Sequence, residues 1–319
     1  MLFSIMGDSF AHKSYSPALV KDSETYISME PPHLSENRGL VSATKRKAFE
    51  AKYEQKDLLG KGGCGSVYGG YRRADNLPVA IKHIPKENVV WTDTDEIGQR
   101  LTIEVAAMLK LQTESADSVG KSAPISLLDW YDFDQEQILV LERPVPAVDL
   151  SQFIENNKEP LQENQAKTII KQLVDDTNIF HRDIKPKNIL IETGSEIPRL
   201  RLIDFGLSCF TDTEYEDGWF YGTAKHAPPE YISECVYEAG PATVWQVGIV
   251  LYEMLHESFF DSRKLLDNEL RIRTDLSTDC KRFLKSCFCL SPGWRPTLKE
   301  LQILSFDGER SETPDKESV

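Results

Sequence analysis

No stretch of the chain approaches the roughly 18–20 consecutive apolar residues that a membrane-spanning helix requires, so no membrane association is expected. The opening residues, MLFSIMGDSF, lack a basic flank and hold too short an apolar run for a secretory signal. That predicts a cytoplasmic protein, with the nucleus also open to it. Basic residues are in deficit: 37 Lys and Arg stand against 51 Asp and Glu, for a net charge of −14. Nucleic acids and anionic membranes reward basic surfaces, so neither is an expected partner. A solvated acidic surface, or one that attracts basic peptides, fits the charge. Cysteine is sparse. Cys64, Cys209, Cys235, Cys280, Cys287 and Cys289 form neither a C-x-x-C pair nor zinc-finger spacing, and read as free, mostly buried thiols of a reducing compartment.

The 319 residues, 40% of them hydrophobic, suffice for one large or two ordinary domains with a buried core. Residues 1–50 are mixed in charge and lack sustained periodicity, so a disordered lead-in is expected there, and a disordered acidic tail over 306–319. Between them lie strand-like runs, SVYGGY (66–71), PVAIKHI (78–84) and QILVLE (137–142), with one helical stretch at 100–111. After Pro146 helices take over. Residues 161–174 place Ala166, Ile169, Ile170, Leu173 and Val174 on one face, and 243–255 are apolar almost all round. The prolines of ERPVP (142–146) resist both helix and central strand, which sets the expected boundary. The prediction is an α+β fold of two lobes within 51–305. A small β-rich N-lobe with one main helix (51–143) precedes a larger helical C-lobe (144–305).

Four motifs carry chemistry. GKGGCGSV (60–67) has the G-x-G-x-x-G-x-V spacing that lets backbone lie against phosphates. It sits between two strands and opens no helix, which disfavours a dinucleotide-binding oxidoreductase. VAIK (79–82) ends a strand in Lys82, and Glu104 lies on the following helix. Taken singly these read as a solvent-facing lysine and a solvated carboxylate. As a pair they aim an ammonium at the α- and β-phosphates of ATP. HRDIKPKN (181–188) is followed sixteen residues later by DFG (204–206). There Asp183 can accept a hydroxyl proton and Lys185 can neutralise the group in transit. Asn188 and Asp204 offer oxygen ligands suited to Mg²⁺. Motifs in this order resemble protein kinases.

More narrowly, residues 53–305 resemble the Pim family of serine/threonine kinases. The likeness is densest in LLGKGGCGSVYGG, DNLPVAIKH, LLDWYDF, LVLERPVPAVDL, HRDIKPKNILI and LIDFG, and extends through GT, PPEYI and RPTLKEL. It implies transfer of phosphate from Mg-ATP to Ser or Thr of protein substrates by a monomer. A nucleotide-binding scaffold without transfer is the alternative. The implied ATP site comprises Leu59, Gly60, Lys61, Gly62, Gly63, Cys64, Gly65, Ser66, Val67, Ala80, Lys82, Leu141, Glu142 and Asp149. In it Pro144 lacks the N–H that most kinases offer adenine, the Glu142 carbonyl is the retained contact, and Leu141 stands at the back of the pocket. Lys185 and Thr223 imply a Ser/Thr hydroxyl acceptor. Arg182 ordinarily meets a phosphorylated residue in the activation segment; here Asp217 or a neighbour is expected to supply that charge permanently. Asp149 and Glu253 match acidic positions associated with basic substrates.

The resemblance departs at three places. The segment Gln172–His181 is shorter than in the family by about six residues, or about 9 Å of helix. Thr243 stands where most kinases have an aspartate bracing the catalytic loop. Lys187 replaces an acidic residue that would attract an upstream arginine.

Overall fold

The computed structural model describes residues 43–92, 100–114, 123–175, 180–194, 198–210, 214–215 and 219–303. Its described residues divide into two compact units, one up to Val105 with Ser126–Arg143, the other Ala106–Ile125 with Pro144 onward. Among the described residues no helix is long and apolar enough to cross a membrane.

The first unit is a five-stranded antiparallel sheet in the order β1-β2-β3-β5-β4: β1 (Tyr53–Gly62), β2 (Gly65–Arg72), β3 (Leu77–Pro85), β4 (Leu127–Asp132) and β5 (Glu136–Glu142). Alternation along β3 decides its two faces. Val79 and Ile81 enter a cluster with Tyr53, Phe133, Ile138 and Val140, while Ala80 and Lys82 face the other way, opposite Leu141 and Leu139 of β5. A helix over 43–52, α1, precedes β1. Its Phe49, 5% exposed, joins the same cluster. Arg46 adds an ion pair to Glu136 at 2.6 Å and lies 4.1 Å above the Phe133 ring. The lead-in expected to run to residue 50 is therefore helical from 43, because one aromatic anchor in a basic segment finds a core to enter.

Helix α2 (Ile103–Glu114) starts after Thr102, whose hydroxyl accepts from the Val105 N–H at 3.4 Å and donates to Gln137 of β5 at 3.0 Å. This capping contact seats the first turn, which carries Glu104.

The second unit is helical: α3 (Leu150–Asn156), α4 (Glu163–Asp175), α5 (Pro229–Glu234), α6 (Ala239–Leu255), α7 (Ser262–Leu266), α8 (Thr278–Cys287) and α9 (Leu298–Ile303). It also holds a three-stranded sheet of β6 (Ala147–Asp149), β7 (Ile189–Glu192) and β8 (Arg199–Leu202), and a short pair, β9 (Glu214–Tyr215) with β10 (Tyr237–Glu238). The predicted stripe of α4 is buried in full, against α6, α9 and β8. Helix α6 is buried along nearly its whole length, as its uniform apolarity requires. The five-stranded sheet of the first unit and the helices and smaller sheets of the second give the α+β architecture read from the sequence.

Candidate active site

The glycine motif is the β1–β2 hairpin, closed in register Gly60↔Val67, Lys61↔Ser66 and Gly62↔Gly65, with Gly63 and Cys64 at its tip. Gly65 has φ +153°, and a Cβ there would stand 2.0 Å from the His83 carbonyl oxygen, so only glycine fits. Gly60 and Gly62 differ: a Cβ on either would meet no protein atom within 4 Å. Packing does not demand glycine at these positions; open space above the backbone is what its absence of side chain leaves. Asn88 holds the tip by donating to the Gly63 carbonyl at 3.1 Å. Leu59 and Cys64 are exposed, while Val67 lies across from Lys82 on β3.

Lys82 and Glu104 meet. The ammonium donates to Oε1 at 2.7 Å and to Oε2 at 2.9 Å, with both side chains 7% exposed. Leu141 is buried on β5 directly opposite Ala80, and Glu142 follows it at the strand end.

In the second unit the catalytic-loop residues close on Asp183. Oδ1 accepts from the Thr223 hydroxyl at 2.7 Å. Oδ2 accepts from Lys185 Nζ at 2.6 Å and from Asn188 Nδ2 at 3.1 Å. Lys185 also donates to Thr223 Oγ1 at 2.9 Å, and Asn188 to the Asp183 carbonyl at 2.8 Å. Because the Asn188 nitrogen is spent on Asp183, its amide oxygen is left for a hard cation. Asp204 follows β8 at φ +69°, and Ile203 just before it donates to the Asn188 carbonyl at 3.0 Å. Among the described residues no group of three or more His, Cys, Asp or Glu is placed to hold a metal ion. An oxygen pair such as Asn188 and Asp204 suits Mg²⁺, which is usually held by few protein ligands together with substrate phosphates.

His181 is fully buried and is not placed as a base. Its Nε2–H donates to the Ile203 carbonyl at 2.9 Å, its Nδ1 accepts from the Asp183 N–H at 3.3 Å, and its ring meets Phe205 edge-on at 5.0 Å. Burial pushes its pKa down, so the ring is a neutral strut between the two motifs. Arg182, 7% exposed and at φ +64°, donates to the Leu207 carbonyl and lies 4.4 Å over the Tyr221 ring.

Other expected residues stand apart from this network. Asp149 caps α3, its Oδ1 accepting from the Gln152 N–H at 2.9 Å. Glu253 is 8% exposed, and its Oε1 accepts from the Phe260 N–H at 2.9 Å. Burial pushes its carboxyl pKa up. It lines a cavity of about 210 Å³ with Pro186, Glu155 and Glu257. Lys187, next in sequence to Pro186, is exposed. Asp217 lies outside the described residues. Gln172, the first residue of the shortened segment, bridges α4 to β8, donating to the Pro198 carbonyl and accepting from the Leu200 N–H, each at 2.9 Å, while residues 176–179 lie outside the described residues. Thr243 does not brace the loop. Its hydroxyl donates to Ala239 of its own helix at 2.7 Å.

Residues 53–306 match the family described as protein kinase domain. The chain belongs to it. Over 273 residues it is 33% identical to serine/threonine-protein kinase pim-2 of Danio rerio, covering 82% of this chain and 86% of that one. Over 284 residues it is 30% identical to serine/threonine-protein kinase prk-2 of Caenorhabditis elegans, covering 81% of this chain but 60% of the nematode protein. Identity to the yeast kinase PSK2 is 26% over 290 residues, which span 86% of this chain and 25% of that protein. The chain is an ATP-dependent serine/threonine protein kinase, and protein hydroxyls are its substrate class.

Two features escaped the motif reading. One is the hydroxyl of Thr223 bonded to Asp183 itself. The other is Gln246 of α6, which bonds the catalytic loop and has no motif to announce it.

Proposed function

We propose that this kinase is Pim-like and works without phosphorylation of its activation segment, with Asp183 as the group that receives the substrate hydroxyl. Convergence of Lys185, Asn188 and Thr223 on the two Asp183 oxygens carries the reading, because it fixes the carboxylate where an incoming Ser or Thr must be aligned. Phosphoryl transfer asks the protein mostly for positioning and electrostatic stabilisation. In that scheme Glu104 holds Lys82 toward the α- and β-phosphates, and the backbone of Gly60 and Gly62 leaves them room. Lys185 neutralises charge on the group in transit. Asn188 and Asp204 would hold Mg²⁺, which would supply positive charge to offset the negative charge of the phosphates. As the bond from the hydroxyl oxygen to the γ-phosphorus forms, the bond from that phosphorus to the β–γ bridging oxygen breaks, ADP leaves with the bond's electron pair, and Asp183 takes the hydroxyl proton. The family resemblance assigns nucleotide binding to Leu59, Lys61, Gly63, Cys64, Gly65, Ser66, Val67, Ala80, Leu141 and Glu142 of the first unit and to Asp149 of the second, and Pro144 has no N–H to offer adenine.

Independence from phosphorylation rests on Arg182. Its contacts to Leu207 and to the Tyr221 ring need no phosphoryl group, and Asp217 is proposed to add permanent negative charge. Asp149 and Glu253 support a preference for basic flanking residues, which Lys187 weakens nearest the transfer site. We also propose a monomer in the cytoplasm or nucleus. Phosphatase treatment is the test: activity is expected to survive it, and its loss would overturn phosphorylation-independence while leaving the kinase assignment intact.

A further inference from the structure

Gln246 is 1% exposed, and its side-chain amide spans the peptide groups on both sides of Asp183. Oε1 accepts from the Ile184 N–H at 3.0 Å, and Nε2 donates to the Arg182 carbonyl at 2.6 Å. The opposite amide orientation would set oxygen against oxygen and nitrogen against N–H, so the pairing itself fixes the assignment. The Arg182 carbonyl belongs to the peptide plane entering Asp183, and the Ile184 N–H to the plane leaving it. Holding both planes with one rigid amide fixes φ and ψ of Asp183, and with them the direction of its carboxylate. The same contact secures Arg182 in a left-handed backbone conformation that a non-glycine residue adopts only under constraint. Thr243, three residues earlier on the same helix, turns its hydroxyl back to Ala239 and offers the loop nothing.

We propose that Gln246 is a positioning residue for phosphoryl transfer, clamping the backbone about Asp183 in place of the aspartate that position 243 lacks. This rests on the assignment of Asp183 made above. The chemistry of the clamp is specific. An acceptor and a donor are needed on one planar group, which glutamine supplies. A methionine fills the same volume with neither. A carboxylate keeps the acceptor but sets its second oxygen against the Arg182 carbonyl, until a proton restores a donor.

The test compares the full chain with Gln246→Met, Gln246→Glu and Asp183→Asn, using Mg-ATP and a Ser/Thr peptide, with melting curves for each. Gln246→Met is expected to lower kcat by on the order of 100-fold, as a misplacement of about 1 Å can, with the KM for ATP nearly unchanged. For Gln246→Glu, kcat relative to wild type at the same pH is expected to rise as pH falls from about 8 to about 6, as the buried carboxyl gains its proton. A role confined to stability would not produce that titration, so the second variant decides even where the first fails to fold. A folded Gln246→Met with wild-type kcat, or a flat ratio for Gln246→Glu, would overturn the proposal. Transfer persisting in Asp183→Asn would instead remove the assignment on which it rests.

Discussion

Lys82 and Glu104, twenty-two residues apart in sequence, are joined by two hydrogen bonds of 2.7 and 2.9 Å, and both side chains are all but removed from solvent. A pair this buried owes much of its value to each partner's covering the other's desolvation. Replacing Lys82 by Met therefore takes the ammonium away from a buried carboxylate, with an expected loss of about 3–5 kcal/mol in stability as well as of activity. Replacing both by Met is expected to recover most of that stability and none of the activity. Denaturant unfolding beside a transfer assay checks both. A single variant as stable as wild type would contradict the burial described.

Arg295 anchors the segment that follows Thr223. Its two terminal nitrogens reach Glu230 at 2.7 and 2.5 Å, Nε donates to the Cys289 carbonyl at 2.9 Å, and the guanidinium lies 5.0 Å over the Trp245 ring. The side chain is fully buried. A lysine offers one point charge and no fork, so Arg295→Lys is expected to cost about 3 kcal/mol despite keeping the charge. Urea midpoints at constant slope measure it. A shift below about 0.5 kcal/mol, the ordinary range of surface changes, would show that the fork contributes little.

Acid should destabilise this fold through its buried histidines. Burial pushes His226 down to about 4 and lowers His181 and His256 as well. Below the unfolded value of about 6.5 the unfolded chain binds protons that the folded chain refuses, so stability falls as pH falls. For His226 this continues to about 4, where both states are protonated and the loss is complete. Glu253 acts in the opposite sense, since its raised pKa lets the folded state bind the extra proton. His226→Gln is expected to reduce the slope of stability between about pH 6.5 and 4 by up to about 1.4 kcal/mol per pH unit. An unchanged slope would mean that His226 is protonated in the fold.

The sequence made legible what its chemistry spells in short strings. Lys82, Glu104, Asp183, Lys185, Asn188 and Asp204 are read from residue type and spacing, and the α4 stripe from its period. What stayed hidden depends on where backbones meet. Phe49 anchors a short basic segment because its ring packs into the hydrophobic cluster of the first sheet. The Asp149 carboxylate caps a helix, a role any Asp before a helical run could fill. Gln246 looks like one more core position of α6, and only the approach of the loop to that face turns its amide into a clamp. The strands β9 and β10, two residues each, are too short for any period to show.

The most direct measurement is phosphate transfer from Mg-ATP to a Ser/Thr peptide library by the full chain, run beside Asp183→Asn. Transfer by the wild type, lost in the variant while ATP still raises the melting temperature of both, is the expected result. A well-folded wild type that binds ATP and transfers nothing would contradict it and favour a nucleotide-binding scaffold, with the short segment before His181 the first place to look.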